Sequence, residues 1–352
     1  MDANLVSDRI SVLVRFHDMG GLSDLDLCLF SLAHQRYHSL EVVICCQNLS
    51  EANLAAVRQV AGQHLELYGR TFQLINLDLG EGDHRAALLN AGIAVASGRY
   101  LAFLDHDDVV YGDAYQTLIS ALRRDKTALA ATGGIDATHV WGKGRHRYVQ
   151  GRNPILRDFH KFHIFSDNIY PIHSVVIDRK RVDPALLSFD EGMSRNEDYL
   201  FYLRIFSSGH WIDRRKYLTV GEYTHHIDGS NTTLAWSQDI DKHAAWRMAD
   251  REMRHKRDNL TLHIPLHEFV EFYHAHGHAH PERNTVEAAR AILMSRSWRF
   301  SRPLRRMFGG KEITPPNSEA EAIGVIYDVM HSASWSLTLP LRILSRMRRR
   351  GR

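Results

Sequence analysis

Four short apolar runs, separated by stretches with helical spacing, constrain this chain more than any other feature. Residues 10–14 (ISVLV), 41–46 (EVVICC), 72–77 (FQLINL) and 100–104 (YLAFL) have the length and composition of buried strands. Between the first two, residues 22–35 place Leu25, Leu29, Leu32 and Ala33 on one helical face, and residues 51–63 and 85–96 predict further helices. Strands alternating with helices imply a mostly parallel sheet covered on both faces, an α/β fold. Such sheets bind ligands beyond the carboxyl ends of their strands, where loops and helix N-termini converge. The residues to interrogate are therefore Arg15-Phe16-His17-Asp18, Gln47-Asn48 and Asp105-His106-Asp107-Asp108, each directly behind a strand.

Beyond about residue 239 the strand alternation stops and helical stretches rich in His, Arg and Glu take over. At 352 residues the chain suits one large or two modest domains, and the boundaries expected are 1–238 for the α/β domain and 239–352 for a helical C-terminal region. Three cysteines supply no disulfide framework. Cys45 and Cys46 are neighbours on a strand and face opposite sides, which predicts one in the core and one near the ligand edge. No apolar run reaches about 18 residues, and the opening MDANLVSDRI lacks the pattern of a signal peptide, so a cytoplasmic protein is expected.

The charge is uneven. Residues 290–352 hold 13 Lys and Arg against four acids, so with +3 overall the rest of the chain is net negative, which disfavours nucleic acid as a partner. In the final segment Trp335 and several leucines precede a run of arginines, a pattern that fits an element lying on an anionic membrane surface or a helix packed on the protein. Residues 295–305 and 332–342 form a near repeat, one short device used twice.

Two acidic clusters invite chemistry. Asp105 and Asp107, at i and i+2 of an extended segment, would point to one side and meet a hard divalent cation such as Mg²⁺ or Mn²⁺, which completes its shell with water and a diphosphate. Glu197-Asp198 opens a helix and offers a general base. Each has a plainer explanation, since Asp is favoured in turns behind strands and acids suit helix N-termini.

Residues 84–108, HRAALLNAGIAVASGRYLAFLDHDD, resemble the signature of family 2 glycosyltransferases, in which an A-A-x-N-x-G-I helix leads through G-x-Y-x-x-F-L-D into D-x-D-D. Phe189-Asp190-Glu191, Asn196-Glu197-Asp198-Tyr199, and Tyr223-Thr224-His225-His226 with Ser230 are similar to the family's later motifs, so that the resemblance spans about residues 8–235. It implies the GT-A fold, a Rossmann-like nucleotide-sugar-binding domain, and inverting transfer of a hexosyl or deoxyhexosyl group from a nucleoside diphosphate sugar to a hydroxyl. By the same resemblance Asp105 faces the nucleotide, Asp107 coordinates metal, and Asp108 supports the loop or the sugar. Asp198 is the implied base with Glu197 second, Arg85 touches base or diphosphate, and His226 serves as a further metal ligand or diphosphate contact.

Two positions depart from the family pattern. Arg15-Phe16-His17-Asp18 replaces P-T-Y-N, leaving Arg15 and His17 to reach phosphate or sugar, and Cys46-Gln47-Asn48-Leu49 replaces the D-D-G-S that holds base and ribose. Gln47 would then meet the base edge, with UDP the default nucleotide and dTDP or GDP as alternatives. The tail resembles endings of bacterial polysaccharide glycosyltransferases, which implies a glycan or lipid-linked acceptor and a role in surface or capsular polysaccharide synthesis. Two other classes stay open: a non-catalytic sugar-nucleotide-binding scaffold, and a sugar nucleotidyltransferase, of whose glycine-rich loop Met19-Gly20-Gly21 is a faint echo.

Overall fold

The structure is a computed structural model that describes residues 6–82, 84–193, 195–227, 240–276, 286, 289–290, 292–294 and 313–330. Ser230, both copies of the near repeat and the basic tail lie outside the described residues. The chain divides into two compact units, Met1–Pro265 and Leu266–Arg352.

The first unit is built on a seven-stranded sheet. Its strands are β1 (Val6–Phe16), β2 (Leu40–Gln47), β3 (Thr71–Leu77), β4 (Gly98–Asp105), β6 (Ala130–Thr132), β9 (Val175–Asp178) and β10 (Ile212–Asp213), in the order β10-β6-β9-β4-β1-β2-β3. A four-stranded sheet has the order β5-β11-β7-β8, from β5 (Val109–Val110), β7 (Gly134–Trp141), β8 (Tyr148–Pro154) and β11 (Thr219–His226). The first four strands of the large sheet are parallel, as the apolar runs predict. β9 enters antiparallel between β4 and β6, a pairing no local pattern announces.

β2 is buried along almost its whole length and β4 nearly so, which is why both read as continuous apolar runs. On one face Val12, Val14, Ile44, Cys46 and Ala102 pack with α1 (Leu22–Ala33), α2 (Glu51–Ala61) and α4 (Ala114–Arg124). On the other face lie α3 (Arg85–Val95) and α5 (Glu197–Ser207), where Phe103 meets Phe201 and Phe189 edge-on. Gly92 of α3 sits so close to the sheet that a Cβ there would come 2.6 Å from a Leu13 methyl and 2.7 Å from Cys45 Sγ. Cys45 and Cys46 thus point to opposite faces as expected, but both are fully buried, and neither lies at the ligand edge. The expectation of one at that edge fails because the strand continues past them to Gln47 before it emerges.

Strand connections run from β1 outward through β2 to β3, whereas β4 lies on the other side of β1. The order reverses between β1 and β4, and their last paired residues are Arg15 and Asp105. A crevice opens beyond the carboxyl ends at such a switch point. α6 (Ile240–Asp258) belongs to the first unit, beyond the boundary at 238 expected from sequence. The cause is polar: Lys256 Nζ lies 2.6 Å from Asp190 Oδ2, and Asn196 Nδ2 donates to Asp250 Oδ1 at 3.1 Å.

In the second unit the described helices are α7 (Leu266–His276) and α8 (Glu319–Met330). Among the described residues no helix is long and apolar enough to cross a membrane.

The close approach at Gly92 gives a stability prediction. Gly92→Val should cost about 1–3 kcal/mol through overpacking against Leu13 and Cys45, read as a lower urea midpoint at unchanged m-value. An unchanged midpoint would show that α3 can move off the sheet.

Candidate active site

At the switch point the end of β1 delivers Arg15 into a cluster of carboxylates. Its Nε and Nη2 donate to Asp105 Oδ1 and Oδ2 at 2.5 and 2.8 Å, a two-pronged pairing across adjacent strands. Its remaining arm, Nη1, donates to Glu197 Oε1 at 3.0 Å, at the start of α5. Arg85, opening α3, brings its Nε within 3.7 Å of the same Glu197 oxygen. β1, β4, α3 and α5 therefore converge on two guanidinium groups.

The environments of the acids diverge. Burial acts to raise the Asp105 pKa, but the charge and hydrogen bonds of Arg15 outweigh it and hold the group at about 2, below its ordinary 3.8. Asp107 is pushed upward, by burial and then by the neighbouring Asp105 charge. Glu197 is raised by burial and by adjacent Asp198, with Arg15 and Arg85 opposing, and Asp198 is raised by burial.

Glu197 and Asp198 are consecutive on a helix and diverge by about 100°. Glu197 turns inward to the two arginines and is almost fully buried, whereas Asp198 stays partly accessible and its Oδ1 accepts from the Tyr199 amide at 2.8 Å. Asn196, immediately before them, adopts φ 60°, a left-handed conformation that Asn tolerates better than most residues.

The loop after β4 turns at His106-Asp107 instead of continuing extended, and the Asp108 amide donates to Asp105 O at 3.1 Å. The i, i+2 alignment expected for Asp105 and Asp107 is therefore not formed. Asp108, 1% exposed, accepts from the Thr224 amide of β11 at 2.7 Å and places Oδ2 3.2 Å from His173 Nδ1. Burial pushes Asp108 up and His173 down to about 4, so this interior pair favours its uncharged forms. His173 carried no signal in the sequence. Asn90 was legible only as part of a motif, and its role is now explicit. Its Nδ2 donates to Phe189 O and Glu191 Oε1, and its Oδ1 accepts from the Phe189 amide, tying α3 to the segment before Glu197.

The remaining expected residues line the same edge. His17 is exposed at the end of β1, its ring 6.0 Å from that of His106. Gln47 is half-buried and donates through Nε2 to Gly82 O at 3.1 Å. His226 ends β11, buried and in the electrostatic neighbourhood of Asp107. Tyr223, legible in the sequence only as part of a motif, is raised by burial and then by Asp108, Asp107, Asp105 and Asp198 together, so the two acidic clusters share one neighbourhood.

Among the described residues no three His, Cys, Asp or Glu side chains form a ready-made metal cage. Mg²⁺ and Mn²⁺ bound with a diphosphate need only one or two carboxylates from the protein. Asp107, which has no arginine or lysine partner among the described residues, fits that role with His226 beside it. Asp105 fits it poorly, because both of its oxygens face Arg15.

Residues 11–176 match the family model described as Glycosyl transferase family 2. YibD of Escherichia coli (strain K12), an uncharacterized glycosyltransferase, is 29% identical over 124 residues, which are 35% of this chain and 33% of YibD. This chain thus spans about a third of that relative's length. Solved structures with partial similarity include S. aureus TarS 1-349 in complex with UDP-GlcNAc, at 16% identity and TM-score 0.48, covering 69% of this chain and 66% of that one. Another is the mannosyltransferase PcManGT from Pyrobaculum calidifontis in complex with GDP-Man and Mn²⁺, at 14% identity and TM-score 0.46, covering 91% and 86%. The α/β sheet and the family match agree with the GT-A expectation.

Removing the central cation tests the cluster. Arg15→Met should destabilise the fold by about 3–5 kcal/mol near neutral pH, because Asp105 and Glu197 stay buried without compensation. In the native protein the depressed Asp105 contributes stability above pH 3.8 that is lost as pH falls toward 2. Without Arg15, burial raises the folded-state pKa instead, the native state binds more protons than the unfolded one, and stability falls as pH rises. Denaturant titrations should therefore show a larger deficit at pH 8 than at pH 5. A deficit independent of pH would argue for lost packing alone.

Proposed function

We propose that this chain is a metal-dependent, inverting glycosyltransferase that moves a sugar from a nucleoside diphosphate sugar to a hydroxyl of a glycan or lipid-linked acceptor. The observation that carries this reading is the meeting of the β4 end and the α5 start on Arg15 at the switch point of the sheet. In this reading Asp198 is the general base. It removes the proton of the acceptor hydroxyl as that oxygen attacks the anomeric carbon and the nucleoside diphosphate departs. Its raised pKa and its partial exposure favour it over Glu197, whose charge is spent on Arg15 and Arg85 and which we assign to positioning.

Asp107, with His226 nearby, would hold Mg²⁺ or Mn²⁺; the ion supplies positive charge to the diphosphate leaving group. Arg85, Asp105, Arg15 and His17 line the donor side, and Gln47 the base side, with UDP our default and dTDP or GDP as alternatives. Synthesis of a bacterial surface or capsular polysaccharide, and contact of residues 332–352 with an anionic membrane from the cytoplasmic side, rest on the sequence resemblance alone. A scaffold that binds the donor without turnover would keep the same pocket, and Gln47-Asn48 in place of acids is the feature that favours it.

Two measurements decide. Asp198→Asn should lower turnover about 10²–10⁴-fold while the thermal shift produced by nucleoside diphosphate sugars with Mn²⁺ stays intact. Tight binding with no turnover in the unaltered protein would leave the scaffold reading. The acid limb of the pH–rate profile should also lie above the usual aspartate range, activity rising with pH as the raised Asp198 ionises.

A further inference from the structure

We infer that the face of the four-stranded sheet carrying Trp141, Tyr148, His139 and His225 is a platform for the saccharide chain of the acceptor. Its role as acceptor site rests on the group-transfer reading above; the platform itself follows from strand register. Trp141 of β7 pairs directly with Tyr148 of β8, and His139 pairs with Gly151 on one side and with His225 of β11 on the other. Directly paired residues project to the same face, as do residues two apart on one strand. The ladder with β8 shifts register between the His139 and Val140 pairs, but β7 keeps its alternation across the shift, with Thr138 and Val140 buried and His139 and Trp141 not, so these five positions share one face.

That face is open. Trp141 and Tyr148 are 51% and 69% exposed. The His139 and His225 rings are half-buried with centroids 5.0 Å apart. A side chain added at Gly151 would meet nothing within 4 Å. On the reverse face Arg147 and Arg152 pair with buried Glu222, and Arg147 also donates to Thr224 Oγ1.

The chemistry on offer is that of sugar recognition. Flat aromatic rings take the apolar C–H face of a pyranose, and imidazoles donate to or accept from its hydroxyls. Two inter-strand spacings give about 10 Å, room for more than one sugar ring. The platform is also continuous with the candidate active site, because Tyr223, two residues before His225 on β11 and so on the same face, lies close enough to Asp108, Asp107, Asp105 and Asp198 to feel their charge. A lipid surface suits the face less well. The nearby cations are already engaged at the surface, Lys143 donating to Gly20 O at 3.1 Å and Arg145 pairing with Asp26.

The test uses the full-length protein on a microarray of defined oligosaccharides and bacterial polysaccharides, with phosphatidylglycerol–phosphatidylethanolamine vesicles as a second arm. We expect the unaltered protein to be retained by at least one glycan. Trp141→Ala and Tyr148→Ala should each weaken that binding about tenfold, while Trp141→Phe retains most of it. The unfolding midpoint and the shift produced by UDP should stay unchanged in these variants, which separates a lost contact from a lost fold. No glycan retained, equal retention by the alanine variants, or a loss seen only on vesicles would each overturn the inference. Absence of any nucleotide-sugar effect in the unaltered protein would instead remove the group-transfer reading and leave saccharide binding standing.

Discussion

The Arg15 guanidinium joins carboxylates contributed by elements 90 and 182 residues further along the chain. Three planar donor sites make this possible: the Nε and Nη2 pair grips both oxygens of Asp105 while Nη1 remains for Glu197. A lysine ammonium in the same place is a point charge and could not hold one carboxylate in two-pronged fashion while reaching the other. Because a buried charge without a partner is costly, each of the three groups requires the other two. The mutual requirement fixes how far α5 stands from the sheet edge. It also decides which acid of the Glu197-Asp198 pair is left for chemistry, since Glu197 is already committed.

The same network divides the acids by protonation. Asp105 is held ionised by Arg15, whereas Asp107, Asp198 and Glu197 are driven upward by burial and by one another. An incoming diphosphate would add negative charge to a pocket already rich in carboxylates. Such a pocket must take up cation or proton as the donor enters, and in the proposed reading Asp107, which has no arginine partner among the described residues, takes the cation. In the proposed reading Asp198 is then the group whose raised affinity for a proton suits removal of one from an alcohol.

Much of the frame was legible because buried parallel strands leave a plain record: short apolar runs with polar ends, spaced by amphipathic helices. The acids at the ends of β4 and α5 were legible for the same reason, being polar residues at the edges of apolar elements. What was not legible depends on distant partners. His173 becomes significant only because β9 inserts antiparallel and brings its preceding turn against Asp108. The turn at His106-Asp107, which abolishes the expected i, i+2 alignment, is closed by the Asp108 amide on Asp105 O, and Asp108 is in turn held by the Thr224 amide, 116 residues away. The pairing of Arg15 with Glu197 could not be read either, since nothing local distinguishes an arginine that meets phosphate from one that meets an acid.

Asp108 also explains how the second sheet is kept in register with the first. β5 follows it directly and pairs with β11, and its side chain accepts from the Thr224 amide within β11. One nearly inaccessible acid thus fastens the strand that carries His225 and His226 to the loop that carries Asp107. Burial keeps this acid and its neighbour His173 toward their uncharged forms, so the link does not require a full charge to be held in the interior. The consequence is mechanical: the face bearing His139 and His225 cannot shift far from Asp107 without breaking a buried hydrogen bond. A saccharide lying on that face would be held at a fixed distance from the reacting centre, which is the condition under which orientation lowers a barrier.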